Sequence, residues 1–518
     1  MADISRRVFL GAAAAGAAAV GLSLAGCAAD NAPGGVVLSD LPETWDFGAD
    51  VIVLGAGLTG LSAACTAAEA GASVLVIDAD VQTGGTSALS GGVIQAAGTR
   101  YQKEFTDFQD DTPEKHAACY LEQAEHLADE TLVKAICARA PERIDWLADK
   151  IGMKWVSVYG NNHVPYVTEG LHADRIHIYE GGGGIASGGL LTNAQEAYAT
   201  GLGVEFRFRC RGEHLIYDGA NGVVGVLADD DGIKITIKAN KGVVLATSGF
   251  DRNAVLARQL NPQQSWNIEN GTIITSVHSN GDGILMGLEL NAALATVGGC
   301  IDFDGVTGQG TANNAPQLPC IFINGSGHRF VCEDATYAYM MRAIFQQERL
   351  LNKPTYMILD QNMIEQGIGP WGSSEAAAAA TADGTLIAAD TLEDLAVKLE
   401  VPAASLVGAL ESWNASIAAT DEDIEFGRDT QLILLDKPPY YAHRNTPLNL
   451  GSLGGLMVNA NAEVIDNAGN VIPRLYAGGM NSGGWYGEYY PGSGTALMGC
   501  VVLGSIAGEQ AAAASDWA

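Results

Sequence analysis

Two short apolar segments early in the chain are separated by a stretch of small apolar residues. Residues 51–54 are entirely apolar and mostly β-branched, and residues 73–77 have a similar composition before the chain reaches Asp78. Continuous apolar runs of this length are typical of strands that are buried on both faces in a parallel sheet. The Ala-rich segment between them, which extends to about Gly71, predicts a helix. Strand, helix and strand in this order predict a βαβ unit.

Glycines occupy the turn between the first strand and the helix. Gly55 allows a tight turn, Gly57 lets the backbone approach a pyrophosphate, and Gly60 lets helix and strand pack closely. Free N–H groups and a partial positive charge at the start of the helix favour bound phosphates. Asp78 follows the second strand, where a carboxylate can accept hydrogen bonds from a ribose hydroxyl. The unit predicts a dinucleotide site for NAD or FAD, and a purely structural glycine turn is the alternative.

Further loops of small residues follow predicted strands. The loop directly after the second strand contributes Gly84, Gly85, Thr86, Ser87, Ser90, Gly91 and Gly92. Residues 242–250 predict a buried strand that ends in small residues, including Thr247 and Gly249, and residues 475–479 repeat this form up to Gly479. Three separate loops of this kind suit a long, extended cofactor that lies across the ends of a sheet.

Composition and charge narrow the class of protein further. The chain has 518 residues, which predicts two or three domains and ample length for a buried core. Hydrophobic residues make up 47% and charged residues 17%, a balance that excludes a disordered chain and a coiled coil. Acidic residues outnumber basic residues 60 to 28, giving a formal charge of −32. A surface this anionic repels phosphate backbones, so no nucleic-acid partner is predicted.

The N-terminus has the features of an export signal. Residues 5–10 form a twin-arginine signature, and an uncharged segment follows over residues 8–26. That segment is long enough to cross a membrane, but its Ala and Gly content favours a signal peptide over residues 1–26. The twin-arginine route resembles the path of proteins that fold around a cofactor before export.

A possible lipid anchor follows the signal segment. Residues 24–27 resemble a bacterial lipobox, in which Cys27 is lipidated and becomes the new N-terminus. An unlipidated signal peptide that is cleaved nearby is the alternative. We expect an exported protein, periplasmic or at the cell surface, that Cys27 anchors to the outer face of the cytoplasmic membrane. Residues 27–45 are then a polar spacer.

The remaining eight cysteines point to no metal chemistry. They form no CxxC pair and no CxxCH haem attachment motif. Several lie in apolar runs, where a free buried thiol is the commonest state. We therefore predict no metal site, no haem and no disulfide framework.

Together these motifs resemble the superfamily of fumarate reductase flavoprotein subunits and 3-ketosteroid dehydrogenases. The resemblance extends from about residue 46 to the C-terminus, with the motifs in the family order. It implies FAD as cofactor and an α/β fold, in which an α+β capping domain at 286–441 is inserted into a Rossmann-like FAD-binding domain. That FAD-binding domain is expected at 46–285 and 442–518. Further FAD contacts are implied for Asp282, Thr495, Ala496 and Leu497.

The attachment of FAD is expected to be noncovalent. Family members that attach FAD covalently use a His in the loop after the second strand. Residues 84–88 of this chain contain no His.

Departures from the fumarate reductases concern the cations of the substrate site. Those enzymes bind two carboxylates and use a buried Arg as proton donor. Residues 356–364 and 489–497 lack an Arg where the family places one, and residues 448–456 lack the corresponding His. A site without these cations cannot easily neutralise a dicarboxylate, so fumarate is a poor candidate substrate.

Residues that resemble those of 3-ketosteroid dehydrogenases occur instead. Residues 490–494 have the Tyr-Pro-Gly-x-Gly pattern, in which the family uses the Tyr hydroxyl and the last Gly N–H to bind a ketone oxygen. Tyr490 and Gly494 would therefore form an oxyanion site. Tyr337 lies four residues after Glu333, as in the family, which implies a role in proton transfer. Some family members supply another Tyr from an early segment of the chain. Its counterpart here could be Tyr101, Tyr120, Tyr159 or Tyr166.

Structural alternatives exist for these side chains. Tyr337 and Tyr490 could be packed aromatics whose hydroxyl groups bind the backbone. His328 and Arg329 are interpreted as turn and surface residues rather than catalysts. Near the C-terminus three aromatic residues either line an apolar substrate pocket or cover the flavin: Trp485, Tyr486 and Tyr489.

The predicted function is hydride exchange between flavin N5 and a carbon–carbon bond conjugated to a carbonyl of a small molecule. Reduction is favoured because a phenol with a pKa of about 10 is protonated at neutral pH and is ready to act as an acid. NAD(P)H is absent outside the membrane, so a cytochrome or a quinone-linked protein is expected as electron partner. The alternatives are oxidative 3-ketosteroid dehydrogenation, a fumarate- or urocanate-type reductase, and a non-enzymatic flavin lipoprotein.

Overall fold

The computed structural model describes residues 41–160, 164–308 and 317–517. The predicted signal peptide, the lipobox with Cys27 and most of the spacer lie outside the described residues. The strands are β1 Phe47–Leu54, β2 Val74–Asp78, β3 Ile94–Gln95, β4 Trp155–Tyr159, β5 Ile176–Tyr179, β6 Glu205–Phe208, β7 Cys210–Asp218, β8 Gly222–Asp230, β9 Ile233–Leu245, β10 Thr272–Ile273, β11 Leu294–Ala295, β12 Cys300–Asp304, β13 Cys320–Ile323, β14 Tyr356–Leu359, β15 Ile387–Ala389, β16 Tyr440–Arg444, β17 Pro447–Ser452, β18 Gly455–Met457, β19 Glu463–Ile465, β20 Val471–Ala477 and β21 Ser482–Gly483.

The α-helices connect these strands and cover their faces. They are α1 Leu58–Glu69, α2 Gly85–Leu89, α3 Arg100–Phe105, α4 Pro113–Gln123, α5 Glu130–Asp149, α6 Gly188–Gly201, α7 Ala254–Leu260, α8 Pro262–Asn270, α9 Asp282–Glu289, α10 Tyr337–Leu351, α11 Asn362–Gln366, α12 Ser374–Asp383, α13 Leu392–Leu399, α14 Ala403–Thr420 and α15 Thr495–Ala513.

An eight-stranded sheet forms the centre of the fold. Its order is β19-β20-β9-β1-β2-β6, and the β7–β8 hairpin joins it through β9. β1 runs parallel to both β2 and β9, which places Leu54 level with Ile77 and Leu245. Residues 51–54 are at most 1% exposed, because both faces of the parallel strand are covered. The βαβ unit predicted from the apolar pattern is present, and the predicted α/β fold class is confirmed.

The C-terminal helix α15 packs along α1. Glycines allow this approach, because a Cβ on Gly504 would lie 2.4 Å from the carbonyl oxygen of Thr59, and one on Gly508 2.2 Å from that of Ala63. In the part of the chain that the structure describes, α15 is the one helix long and apolar enough to cross a membrane. Its most apolar window is 78% buried within the protein, so we assign this helix to the core.

A second region is built on the antiparallel sheet β13-β14-β16-β15. Its strands alternate side chains between two cores: Cys320 and Phe322 pack towards α10 and α12, whereas Ile321 and Ile323 pack towards α13 and α14. The sheet is therefore covered on both faces. The predicted domain boundary after residue 441 falls within β16, and the division of the chain into domains stays a prediction.

Arg329 lies in this second region and is not the surface residue expected from the sequence. Arg329 is only 6% exposed, and its guanidinium contacts Glu333 and Asp423, each at 2.8 Å. The side chain also lies over the rings of Trp413 and Phe426. The expectation was wrong because Asp423 lies 94 residues further along the chain, and only the tertiary fold brings the two charges together.

Replacement of Arg329 by Met tests how much this buried charge cluster contributes to the stability of the protein. We expect the free energy of unfolding to fall by about 3–5 kcal/mol, because Glu333 and Asp423 lose their closest cation, while Arg428 stays 3.9 Å from Glu333. Arg444→Met is the matched control, since Arg444 is exposed and the expected change is below about 0.5 kcal/mol. Urea denaturation of both variants measures the difference, and equal losses would contradict the assignment.

Candidate active site

One cavity of about 530 Å³ extends from the carboxyl ends of the parallel strands to the loop before α15. Most of the residues predicted to contact the cofactor line it: Gly55, Gly57, Asp78, Gly85, Thr86, Ser87, Ser90, Gly91, Gly92, Thr247, Asp282, Ala496 and Leu497. Tyr337, Tyr490 and Gly494, which the sequence predicts as catalytic, line the same cavity. The structure thus brings both predicted groups to one continuous space.

At one end of the cavity, the start of α1 faces the loop that follows β2. Gly57 precedes the first residue of α1, and the Ser87 hydroxyl accepts a hydrogen bond from the Leu58 N–H at 3.3 Å. Gly57 and Gly84 lie side by side as an isolated backbone bridge. Backbone N–H groups therefore lie together with the start of a helix. This arrangement suits the negative charge of a pyrophosphate.

Asp78 ends β2 beside this helix start. Its carboxylate accepts hydrogen bonds from the N–H groups of Ala56, at 2.6 Å, and Asp80, at 2.7 Å. Burial raises the pKa of Asp78 above its usual value, while these two hydrogen bonds act in the opposite direction. A carboxylate can accept further hydrogen bonds beyond these two, which suits contact with a ribose. The residues at this end therefore fit the adenosine diphosphate part of FAD.

Two glycines allow the tight geometry of this turn. Gly55 has φ +103°, and a Cβ there would lie 2.3 Å from the carbonyl oxygen of Ala246. A Cβ on Gly60 would lie 1.8 Å from the carbonyl oxygen of Gly55. Any larger residue at either position would push α1 away from β1 and from the phosphate site.

Five of the predicted cofactor residues lie behind the cavity wall instead of lining it: Gly60, Gly84, Gly249, Gly479 and Thr495. Their contacts are internal. A Cβ on Gly479 would lie 2.1 Å from the Thr59 hydroxyl, and a Cβ on Gly249 would lie 2.7 Å from the Ser452 hydroxyl. These residues shape the wall by letting its layers pack closely. Gly478 and Met480, which the sequence interpretation omitted, line the cavity on either side of Gly479.

Three tyrosines meet at the other end of the cavity. The rings of Tyr337 and Tyr490 are 6.0 Å apart, and Tyr159 lines the cavity beside them. Tyr337 is the first residue of α10, and Phe303 contacts its ring edge-on at 5.8 Å. Tyr490 lies in the loop that leads into α15.

The Tyr490 hydroxyl, which Thr495 also contacts, and the Gly494 N–H donate no hydrogen bond to any of the described residues. The Tyr490 oxygen accepts a hydrogen bond from the Ala496 N–H at 2.8 Å, which leaves the phenol proton available. Within the described ranges, no protein atom accepts that proton or the Gly494 N–H. Burial raises the pKa of Tyr490 above its usual value, so the phenol remains a neutral donor. Two neutral donors at one end of a cavity can bind a carbonyl oxygen.

The environment of Tyr337 also favours its protonated form. Burial raises the pKa of Tyr337 well above its usual value, and the neighbouring Tyr490 and Asp302 add to this effect, while Ser493 opposes it. The segment that precedes Tyr337 contains Glu333, which is fixed by the buried Arg329. The charge cluster of the second region therefore holds this phenol in place.

Only one of the four tyrosines left open by the sequence lines the cavity. Tyr159 does so, whereas Tyr101 accepts a hydrogen bond from Arg100 in an exposed position. The Tyr120 hydroxyl is buried and donates to the Trp485 carbonyl, and the Tyr166 hydroxyl bonds with Tyr489. The structure thus favours Tyr159 as the further site residue.

The aromatic residues that precede Tyr490 pack into the core instead of lining a pocket or covering the cavity. The rings of Trp485 and Tyr486 lie 3.9 Å apart, and both side chains are fully buried. Gly499 of α15 makes room for them, because a Cβ there would lie 2.1 Å from the Trp485 ring. None of Trp485, Tyr486 and Tyr489 lines the cavity, and a position behind the flavin stays a prediction for them.

An apolar wall faces the tyrosines, and the sequence interpretation missed it. Ile301 and Phe303 project from β12, and Leu448 and Leu450 from the adjacent β17. Phe303 is paired with Leu448 across the two strands. Alternation of apolar residues along both segments was the available signal, but only the pairing of β12 with β17 shows which face meets the cavity.

Charged residues lie at the opposite end of the cavity from the tyrosines. Among the described lining residues, the basic ones are Arg211 and His278. Arg211 forms an ion pair with Asp282 at 2.6 Å, and His278 lies close enough to Asp78 to act on its pKa. The described residues around the tyrosines thus supply neutral donors and apolar surface.

A family model described as "FAD binding domain" matches residues 50–497. The chain belongs to the FAD binding domain family. It is 30% identical to the digoxin reductase of Eggerthella lenta, over 99% of this chain and 98% of that protein. It is 28% identical to the fumarate reductase (cytochrome) of Shewanella frigidimarina, over 89% of this chain and 77% of that protein.

A solved structure is also similar over almost the whole chain. The 3-ketosteroid-Δ4-(5α)-dehydrogenase of Rhodococcus jostii RHA1, in complex with 4-androstene-3,17-dione, superposes with a TM-score of 0.78. That comparison has 27% identity and covers 92% of this chain and 99% of the dehydrogenase. FAD is therefore the cofactor of this member of the family, and the protein is an FAD-dependent oxidoreductase that acts on carbon–carbon double bonds.

The contribution of Asp78 can be measured through FAD affinity. We expect Asp78→Asn to weaken binding about 10- to 100-fold, because a charge-assisted hydrogen bond contributes about 1.5–3 kcal/mol. Asp80→Asn is the matched control, since Asp80 lies outside the cavity wall. Titration of the apoprotein with FAD, followed by tryptophan fluorescence, gives both dissociation constants. Equal affinity of the two variants would remove Asp78 from the site.

Proposed function

We propose that this enzyme reduces a carbon–carbon double bond that is conjugated to a ketone or a similar carbonyl group. The observation that supports this most is the pairing of two unclaimed neutral donors, the Tyr490 hydroxyl and the Gly494 N–H, beside a buried Tyr337. Hydrogen bonds to the carbonyl oxygen withdraw electrons from the double bond and stabilise an enolate-like transition state. A carboxylate substrate would favour cationic partners instead.

Each site residue has a separate role in this proposal. Tyr490 and Gly494 bind the carbonyl oxygen, and Tyr337 delivers a proton to the carbon next to the carbonyl. FAD, when bound and reduced, supplies the hydride for the other carbon of the double bond. Tyr159 lies close enough to Tyr337 to influence its pKa, so it is placed to support the phenol during proton transfer. The apolar wall excludes water from the reacting carbons.

The protonation state of Tyr337 supports the reductive direction. Its pKa is raised by burial, so the phenol holds its proton throughout the neutral range and is an acid before the reaction starts. The oxidative direction requires Tyr337 as a base, and its environment opposes that role. Dehydrogenation of a ketosteroid is therefore the second candidate, favoured by the similarity to the Rhodococcus dehydrogenase.

A neutral, largely apolar enone is the substrate class that we propose. Ile301, Phe303, Leu448 and Leu450 supply an apolar surface next to the two donors. The similarity to a digoxin reductase and to a dehydrogenase in complex with 4-androstene-3,17-dione supports a steroid-like substrate. The absence of a described cation at this end argues against fumarate or urocanate.

The supply of electrons and the location of the enzyme are further parts of the proposal. We propose that FAD is bound noncovalently and is reduced by an external cytochrome or quinone-linked protein. The similarity to a fumarate reductase (cytochrome) supports such a donor. Export by the twin-arginine signal and lipid attachment at Cys27 would place the enzyme on the outer face of the cytoplasmic membrane, where NAD(P)H is absent.

Anaerobic reoxidation of the reduced flavin tests the substrate class. The holoenzyme is reduced with dithionite and mixed with 4-androstene-3,17-dione, cyclohexenone, urocanate or fumarate, while the visible flavin absorbance is followed. We expect rapid reoxidation by the ketones and none by the carboxylates, because the tyrosine end lacks a described cation. Reoxidation by fumarate or urocanate alone would contradict the proposal.

Replacement of Tyr490 by Phe tests the carbonyl site. We expect kcat for enone reduction to fall about 10²- to 10³-fold, because one oxyanion donor is lost. Tyr486→Phe is the matched control, since Tyr486 is equally buried, lies 6.0 Å from Tyr490 and does not line the cavity. Steady-state kinetics with dithionite-reduced methyl viologen measure both variants. Unchanged turnover of Tyr490→Phe would remove this residue from the mechanism.

Replacement of Tyr337 by Phe tests proton delivery. We expect a fall in kcat of about 10²- to 10⁴-fold, whereas Tyr339→Phe, a change on the same helix, keeps most of the activity. In the unmodified enzyme, the raised pKa of Tyr337 keeps the acid protonated, so kcat for reduction should not decline between about pH 7 and 9. A decline in that range in the unmodified enzyme, but not in Tyr337→Phe, would show that the phenol ionises earlier.

A further inference from the structure

Gln95 lies directly behind the carbonyl site and holds two consecutive residues of its loop. The backbone N–H of Gln95 donates to the Gly494 carbonyl at 3.2 Å. Its side-chain amide donates to the Ser493 carbonyl at 2.9 Å. Gln95 is only 5% exposed and does not line the main cavity. It therefore acts on the site through the loop.

The Ser493 carbonyl and the Gly494 N–H belong to the same peptide unit. In a planar trans peptide these two groups point in opposite directions, so fixing the carbonyl also fixes the direction of the N–H. Gly494, which forms one side of this peptide, restrains it weakly, because glycine has no Cβ and adopts φ +90° here. The hydrogen bond from Gln95 supplies the restraint that the local sequence lacks. It also polarises the peptide, which strengthens the Gly494 N–H as a donor.

His116 in turn fixes the amide of Gln95. The His116 Nε2 atom lies 3.1 Å from the Gln95 Oε1 atom. Because an amide oxygen can only accept, Nε2 carries the proton and Nδ1 has the free lone pair. Burial lowers the pKa of His116 to about 3, so the ring is neutral. The imidazole thus keeps the NH2 group of Gln95 turned towards Ser493.

A small second cavity of about 10 Å³ adjoins the ring of His116 and is also lined by Gln95 and Arg175. The Nδ1 atom of His116 is buried and has no partner among the described residues. A volume of about 10–15 Å³ holds one water molecule. A water there would donate to Nδ1 and complete the hydrogen bonds of the imidazole.

We propose that Gln95 and His116 are positioning residues, which orient the Ser493–Gly494 peptide so that the Gly494 N–H points at the substrate carbonyl, and that one buried water supports His116 at Nδ1. This inference rests on the proposed function, because it deepens the role of Gly494 in that site. The chain of contacts runs from the water through His116 and Gln95 to the peptide.

Gln95→Leu is the variant that removes the side-chain donor while keeping a buried residue of similar size. We expect kcat for enone reduction to fall about 10- to 100-fold, somewhat less than for complete loss of an oxyanion donor. KM should change less than about threefold, because an oxyanion donor acts mainly in the transition state. His116→Phe should lower kcat in the same direction by a smaller factor. Gln195→Leu is the matched control, since Gln195 is equally buried but lies outside both cavities.

A spectroscopic measurement separates positioning from a general loss of structure. Isotope-edited infrared spectra of bound 4-androstene-3,17-dione, labelled with ¹³C at its conjugated carbonyl, report hydrogen bonding to the oxygen. We expect this carbonyl band to move towards its free frequency in Gln95→Leu and in His116→Phe, but not in Gln195→Leu. An unchanged band and unchanged kcat in Gln95→Leu would overturn the proposal.

Crystal structures of the FAD-loaded enzyme test, without any substrate, whether Gln95 orients the Ser493–Gly494 peptide and whether a water binds His116. We expect a water within hydrogen-bonding distance of His116 Nδ1 in the unmodified enzyme, and a rotated Ser493–Gly494 peptide in Gln95→Leu. An unrotated peptide in Gln95→Leu, or a His116 Nδ1 without water, would contradict the corresponding part of the proposal. If the enzyme reduces no enone, the proposed function fails, while these structures still show whether Gln95 sets the peptide. His116→Phe supplies the same comparison if Gln95→Leu does not fold.

Discussion

The close packing of α1 against both β1 and α15 is the constraint on which both ends of the cavity depend. α1 begins at the phosphate side, directly after Gly57, and α15 begins at the carbonyl side, directly after Gly494. Because glycines let the two helices approach until backbone atoms touch, the distance between the two helix starts is set by rigid contacts. A cofactor that spans this distance would therefore be held in register with the carbonyl site that we propose.

The second region contributes the phenol of Tyr337, and the segment before it is held by buried charges. Arg329, Glu333 and Asp423 are buried charges, and such groups are stable in a protein interior only when they are fully paired. The cluster ties the segment before α10 to a loop nearly a hundred residues away, which restrains the chain just before Tyr337. Rigid placement of a proton donor matters because small displacements from the reacting carbon lower the rate strongly.

Local patterns in the sequence predicted the local parts of this structure. The strand β1, its glycine turn, α1 and β2 follow one another directly, and Tyr490 and Gly494 lie within one short motif. The apolar wall and Tyr159 depend on pairings between distant segments, such as β12 with β17, which periodicity alone does not specify. Arg329 was misjudged for the same reason, since its partner Asp423 is remote in sequence. The sequence predicted that glycines such as Gly479 contact the cofactor. In the structure Gly479 lies behind the cavity wall, where it allows close packing.

One of the two groups that we propose to bind the carbonyl is part of the main chain. A backbone N–H is present with every residue except proline, so no other exchange of the side chain removes it directly. The apolar wall, in contrast, consists of four side chains on two paired strands, and each of them can be exchanged individually. The fold therefore places the groups that would activate a double bond on different elements from the apolar surface that would select the substrate. Exchange of wall residues can therefore change which molecular shapes fit, while the backbone donor stays in place.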